Sequence, residues 1–292
     1  MRNYFVRYET KRKAFVFSHA MLAECEEAHE VPFLELHPDD YSLIGCSQPV
    51  KDAPVVGFVM KHESNYYLAE EDAVAALAKT GVKIRFLTYE HSFTQLFGCS
   101  GLLIPDVALS LAEEYFSDCN DDIWAPSLER MAAMVYVCGA LGRGIPILAT
   151  GSGAQVVAGE LGLLLYRDFG FIETPIRHFS SAAEAHRLNV FVGTPLQRMF
   201  GKQNLFFVNS NHSTLLAPVR VQRQLLGEKY TNIADLQLPL QVYAEANDGV
   251  PEAWGNEKAH ILCVQWSPEK MIADGDEKMR QIYQWLADAV SK

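Results

Sequence analysis

From about Pro54 onward, short apolar runs alternate with stretches of helical spacing, the pattern of a sheet flanked by helices. Val55-Val56-Gly57-Phe58-Val59 is apolar throughout and predicts a buried strand. A helix is predicted from about Leu68 to Thr80, ended by Gly81 at the position where a positive φ is needed. Val82 to Leu87 and Leu102 to Pro105 predict the second and third strands. Leu128, Met131, Val135 and Cys138 recur at helical spacing and predict a helix with one apolar stripe, running into Gly144. Pro146 to Ala149 predicts a fourth strand, followed at once by Thr150-Gly151-Ser152-Gly153-Ala154-Gln155. A strand that turns through glycines straight into a helix aims backbone N–H groups at one point, which suits an anion or a nucleophile elbow. A tight strand-to-helix turn accounts for these glycines equally well.

Beyond Tyr166 the pattern becomes strand-rich. Leu205 to Val208 predicts a buried strand leading into Asn209-Ser210-Asn211-His212. Gln241 to Ala246 alternates with period two, Asn247-Asp248-Gly249 is a turn signal, and Val250 to Trp254 follows as the next strand. Ile261 to Trp266 predicts another buried strand, and an amphipathic helix from about Asp276 to Val290 closes the chain. Residues 1–53 do not continue this rhythm. They carry a helical stretch near Met21 to Glu27 and an apolar run, Val31 to Leu36, able to pair as a strand. The chain therefore divides into an N-terminal extension, 1–53, packed on or preceding the core, and one domain over 54–292.

Composition narrows the partners. At 292 residues, 49% hydrophobic and 21% charged, the chain can bury one large core. A net charge of −11 argues against nucleic acid, since phosphate binding needs clustered Lys and Arg. The one basic cluster, Arg7 to Lys13, is short and interrupted by Glu9. No apolar run approaches the roughly 20 residues of a membrane span, and the N-terminus lacks the apolar core of a signal peptide. The six cysteines form no CxxC pair and no zinc spacing, so free thiols in a reducing compartment are expected, with the cytoplasm as the location. Asp106, His212 and Glu269 match no short metal motif; no metal and no cofactor is expected.

Several segments, taken in order, resemble the class I glutamine amidotransferase family, nearest its γ-glutamyl hydrolases and the γ-glutamyl-γ-aminobutyrate hydrolases among them. Pro146 to Gln155 (PILATGSGAQ) resembles a family strand of the type PILGICRGMQ. Val208 to Ser213 (VNSNHS) resembles VNSxHH, Asp248 to Ala253 (DGVPEA) resembles DGxxEA, and Val264 to Glu269 (VQWSPE) resembles VQWHPE. His186 through Gly201 resembles a further family pattern loosely. The resemblance spans about four-fifths of the chain. It implies an α/β three-layer sandwich, flavodoxin-like, with a mostly parallel central sheet flanked by helices.

The resemblance also implies a catalytic set that this sequence lacks. The family attacks a γ-glutamyl amide with a cysteine thiolate, helped by a histidine base and an orienting carboxylate. In this register the cysteine position is Gly151, the histidine position is Ser267, and only the acid, Glu269, remains. The family's glycine pair at the end of the third strand is replaced by Asp106-Val107, where a carboxylate facing the pocket would repel a developing oxyanion. The triad positions Gly151, Ser267 and Glu269 are therefore expected to be vestigial. Asp106, Ser152, Gln155, Asn209 and His212 are the candidates for contact with a γ-glutamyl or other amino-acid-like small molecule. A Ser152–His212 pair is the route by which a relocated nucleophile would act, whereas a serine at a helix start also serves as a cap. Cys263, in a predicted buried strand, reads as core. The expected function is a catalytically inactive relative that binds a small ligand or a protein partner. The alternative is a γ-glutamyl hydrolase with a rewired, non-cysteine site using Ser152, Asp106 or Glu269.

Overall fold

The computed structural model describes residues 4–18, 29–31, 35–116, 127–167, 176, 178–201, 205–217 and 240–291. Sixteen strands are found among them: β1 Tyr4–Glu9, β2 Ala14–Ser18, β3 His29–Val31, β4 Val55–Val59, β5 Lys61–Glu63, β6 Tyr66–Glu70, β7 Lys83–Leu87, β8 Gly101–Ile104, β9 Ile147–Thr150, β10 Leu165–Tyr166, β11 His186–Val190, β12 Leu205–Val208, β13 Leu215–Leu216, β14 Gln241–Ala246, β15 Pro251–Asn256 and β16 Ile261–Val264. The main sheet runs β12-β11-β14-β15-β16-β9-β8-β4-β7. From β16 to β7 the neighbours are parallel, and from β12 to β16 they are antiparallel. The parallel strands β8, β9 and β16 are buried along their whole length, which is why they read as unbroken apolar runs.

Helices α1 (Asp40–Leu43), α2 (Glu71–Ala78), α3 (Ser92–Gln95), α4 (Leu128–Gly142), α5 (Ser152–Glu160) and α6 (Pro195–Phe200) precede the C-terminal helices Pro268–Ala273 and Arg280–Val290. The α/β sandwich with helices on a central sheet is the architecture expected from sequence, with four of the sheet's eight pairings parallel where a mostly parallel sheet was expected. Two expectations need correction. The helix predicted from Leu68 begins only at Glu71, because Tyr66–Glu70 is a strand paired with both β2 and β5. Its buried residues, Tyr67 and Ala69, alternate with half-exposed ones, a period of two. In α4 the helix is present but the buried face is Ala132, Ala133, Tyr136, Val137 and Ala140. Leu128, Met131 and Cys138, three of the four predicted core residues, are exposed. The buried face of α4 combines three alanines with Tyr136 and Val137, and Leu128, Met131 and Met134 face outward.

Residues near the N-terminus build a second, antiparallel sheet, β3-β1-β2-β6-β5, from both sides of residue 53. Strand β2 is wholly buried, and Phe17 packs on Phe86 of β7 with ring centroids 4.7 Å apart. Val31 lies in β3 and Glu35 bridges to Arg85, while the helical stretch predicted near Met21 to Glu27 lies outside the described residues.

Candidate functional site

Strand β9 ends at Thr150, and Gly151 turns the chain directly into α5 with φ 54 and ψ −129. Only glycine adopts such a conformation without strain, outside sites where strain serves function. The Gly151 N–H donates to the carbonyl of Val264 (2.9 Å) and also toward that of Trp266 (3.3 Å), fixing the turn between β9 and β16. The elbow foreseen from the glycines is therefore present as backbone.

Asp106 fills the space in front of it. A Cβ placed on Gly151 would lie 2.3 Å from both Cγ and Oδ1 of Asp106. The carboxylate Oδ1 accepts the backbone N–H of Ser152 (2.9 Å), at the start of α5, and that of Val107 (3.0 Å). Its Oδ2 accepts the Ser267 hydroxyl at 3.2 Å, and Lys270 Nζ stands 3.9 Å away. A negative group at a helix N-terminus, held by converging N–H groups, is the arrangement that binds an anion. Here the anion is a side chain of the protein itself. Val107 pays for this in backbone conformation: its φ is 54, unusual for a β-branched residue, and its N–H also donates to Ser152 Oγ at 2.8 Å.

The other residues singled out in sequence are distributed around this plug. Asn209 clamps the Ser267 backbone, accepting its N–H and donating to its carbonyl, each at 3.0 Å. Gln155 is buried in α5 and its amide nitrogen donates to the Thr214 carbonyl (2.6 Å) and to Gln265 Oε1 (3.0 Å). Glu269 is buried and accepts the Tyr283 hydroxyl at 2.9 Å. Burial pushes its carboxyl up to about 7, with the charge of Asp106 adding to the rise and the Tyr283 bond and Lys270 opposing it. The cavity lined by Asp106, Val107 and Glu269 holds about 10 Å³, room for about one water molecule. A larger groove of about 410 Å³ lies elsewhere, lined by residues of α6 and the C-terminal helix such as Arg198, Met199 and Trp285. Cys263 is core, its thiol pushed up by complete burial.

His212 is drawn into a different group, with His178, His186 and Glu252. Nitrogen atoms of the three imidazoles lie 2.9, 3.4 and 3.4 Å from Glu252 Oε1. Burial opposes ionisation of Glu252, but His212, His178 and His186 outweigh it and hold the carboxyl well below its usual range. Sequence reading kept only His212 of these four. The signal for His186 and Glu252 lay in the same resembling segments, His186 opening one and Glu252 sitting within DGVPEA, but His178 lies in none of them and no short spacing joins the four.

The comparisons with known proteins agree with this architecture. The Peptidase C26 family model matches residues 118–269, just over half of the chain. A Lactococcus lactis protein, provisionally named glutamine amidotransferase-like protein YvdE, is 31% identical over 128 residues. That match covers 42% of this chain and spans slightly less than half, 46%, of the relative. Among solved structures, a Thermoplasma acidophilum protein provisionally described as a component of GMP synthase superposes with a TM-score of 0.54 at 14% identity, covering 83% of this chain and 96% of its own. The glutaminase domain of Trypanosoma brucei CTPS with bound acivicin gives 0.56 at 13% identity, covering 82% and 94%. At such identities the two structures speak for the fold, and the family match speaks for descent: this chain belongs to the Peptidase C26 family, within the glutamine amidotransferase-like fold.

Proposed function

We propose that this protein is a non-catalytic member of its family, closest to the γ-glutamyl hydrolases, whose elbow is closed by its own Asp106 and which acts by binding. The observation that carries the reading is the Asp106 carboxylate, lodged where a side chain on residue 151 would begin and taking the N–H groups of Val107 and Ser152. In a hydrolase, donors so placed would be kept for the oxyanion of the acyl-transfer intermediate. Here the Asp106 carboxyl group occupies them, Gly151 offers no nucleophile, and Ser267 offers no base. Glu269, matched to the orienting acid, pairs with Tyr283. The triad positions Gly151, Ser267 and Glu269 are vestigial in this account.

The cavity on the side of Asp106 that faces Lys61, Glu70 and Glu269 holds about 10 Å³, too small for a glutamyl group there. The form of the rewired alternative that uses Ser152 as nucleophile needs His212 as base. Ser152 Oγ instead accepts the Val107 N–H, while His212 turns Nδ1 to the Thr214 carbonyl (2.8 Å) and Nε2 toward Glu252. The test is hydrolysis of a γ-glutamyl anilide by the full chain. Release at the buffer rate across pH 6–9 is the expected result, and turnover abolished by Ser152→Ala would overturn the reading.

A further inference from the structure

We infer that His178, His186, His212 and Glu252 form a structural site for one divalent transition-metal ion of the zinc class. Their ligand atoms all lie within 4.8 Å of one another. The contacts of 2.9, 3.4 and 3.4 Å from Glu252 Oε1 to the three imidazole nitrogens approximate the edges of a ligand tetrahedron. Bonds of about 2.1 Å would give edges of roughly 3.4 Å, which two of the Glu252 contacts match and the third approaches. Three imidazoles and one carboxylate suit zinc-class ions and are a poor match for calcium or magnesium, which prefer oxygen ligands.

Two further observations point the same way. Glu252 is fully buried, and neither of its carboxylate oxygens, nor either ring nitrogen of buried His186, makes a contact of hydrogen-bond geometry. A hydrogen-bonded ion cluster would be expected to satisfy these atoms, whereas coordination to a central ion does not require them to bond to one another. The outer atoms of the other two imidazoles are set as metal ligands usually are. His178 directs Nε2 to Asp248 Oδ2 at 2.9 Å and presents Nδ1 to Glu252, while His212 directs Nδ1 to the Thr214 carbonyl at 2.8 Å and presents Nε2. A ring N–H given to a carboxylate or carbonyl fixes the tautomer that leaves the opposite nitrogen's lone pair inward.

The backbone aims the carboxylate. Between the pairs Ala244–Ala253 and Glu245–Pro251 the β14–β15 ladder skips Glu252, a bulge of the kind that redirects a side chain. His186 opens β11, and His178 and His212 lie on segments joined by His212 N–H to the His178 carbonyl (3.1 Å). An ion here pins the antiparallel half of the sheet together. The Thr214 carbonyl that receives His212 also receives Gln155, so the site is tied to α5. The site has no open ligand position in this arrangement, which assigns it to structure and not to hydrolysis.

The test uses the full chain, stripped with a chelator and then titrated with Zn²⁺, and in parallel with Co²⁺ as a spectroscopic probe. One ion bound per chain is expected, with the intense visible absorption of four-coordinate Co²⁺ and a Tm rise of about 5 °C at a hundredfold excess of Zn²⁺ over its Kd. Glu252→Gln and His186→Ala should each weaken binding at least tenfold, and where either fails to fold, the wild-type stoichiometry and Co²⁺ spectrum still decide. No stoichiometric Zn²⁺ binding by the wild-type chain, or only the weak spectrum of six-coordinate Co²⁺ undiminished by His186→Ala, would overturn the inference.

Discussion

At the scale of single residues, a side chain at position 151 would compete with Asp106 for one volume. Gly151→Cys places a Cβ 2.3 Å from the Asp106 carboxyl and demands a positive φ of a residue that carries a side chain. It should destabilise the fold by about 2 kcal/mol in urea unfolding, and γ-glutamyl hydrolysis should remain at background. Robust activity from that single change would show that Ser267 and Asp106 are not the obstacles described. Asp106→Gly with Gly151→Cys and Ser267→His removes all three and is the combination expected to gain activity. Glu269 gives a second residue-scale prediction through pH. Its folded pKa, about 7, lies above the 4.5 of an unperturbed glutamate, so the folded state holds the proton more tightly. Stability contributed by this group is therefore greatest below 4.5, declines as pH rises toward 7, and is flat above it. Glu269→Gln keeps an acceptor for Tyr283 and should flatten that decline, gaining up to about 3 kcal/mol at pH 8. An unchanged pH profile in the variant would refute the assignment. Of the residues read from sequence, Gly151, Ser267 and Asp106 do meet at one point. That Asp106 would accept hydrogen bonds from the site's N–H groups was not legible, because it depends on the φ of Val107 and on a loop path no spacing encodes.

At the scale of elements, α5 shows how closely the helix layer is fitted to its neighbours. A Cβ on Gly159 would lie 2.3 Å from the Tyr115 ring, whose hydroxyl bonds to Glu160. Helix propensity alone favours Gly159→Ala by up to about 1 kcal/mol, yet the overpacking should reverse the sign and cost about 1–3 kcal/mol in a denaturant melt. A more stable variant would mean that Tyr115 yields freely. Ser127 caps α4 by accepting the Arg130 N–H at 3.0 Å, and Ser127→Ala should cost about 1 kcal/mol. Buried strands were legible because both of their faces are apolar, as in β4, β9 and β16. The buried face of α4 was not: Ala132, Ala133 and Ala140 are too small to signal a core, whereas the exposed Leu128, Met131 and Met134 signal one falsely. The start of α2 was misplaced for a related reason, since Tyr67 and Ala69 are buried by a partner strand some fifty residues away.

At the scale of the whole molecule, the long parallel half of the sheet carries the elbow, and the antiparallel half carries the histidine and glutamate cluster. The buried strands of the parallel half were read from their apolar runs, and the α/β sandwich from the family resemblance. The second sheet, built from β1, β2 and β3 with β5 and β6, was not read from the sequence as a sheet, because the β2–β6 pairing that joins its two hairpins spans about fifty residues. No helix among the described residues is long and apolar enough to cross a membrane. On the proposed reading, Asp106 closes the elbow and no activated nucleophile stands there. The most direct measurement is the intact mass of the full chain after incubation with a diazoketone analogue of glutamine, with any adduct mapped by digestion and competed by γ-glutamyl compounds. The expected result is no competable adduct, only scattered labelling of exposed thiols such as Cys138. A stoichiometric adduct on Ser152 or another residue beside Asp106, lost on competition, would contradict a closed elbow and make this protein an enzyme.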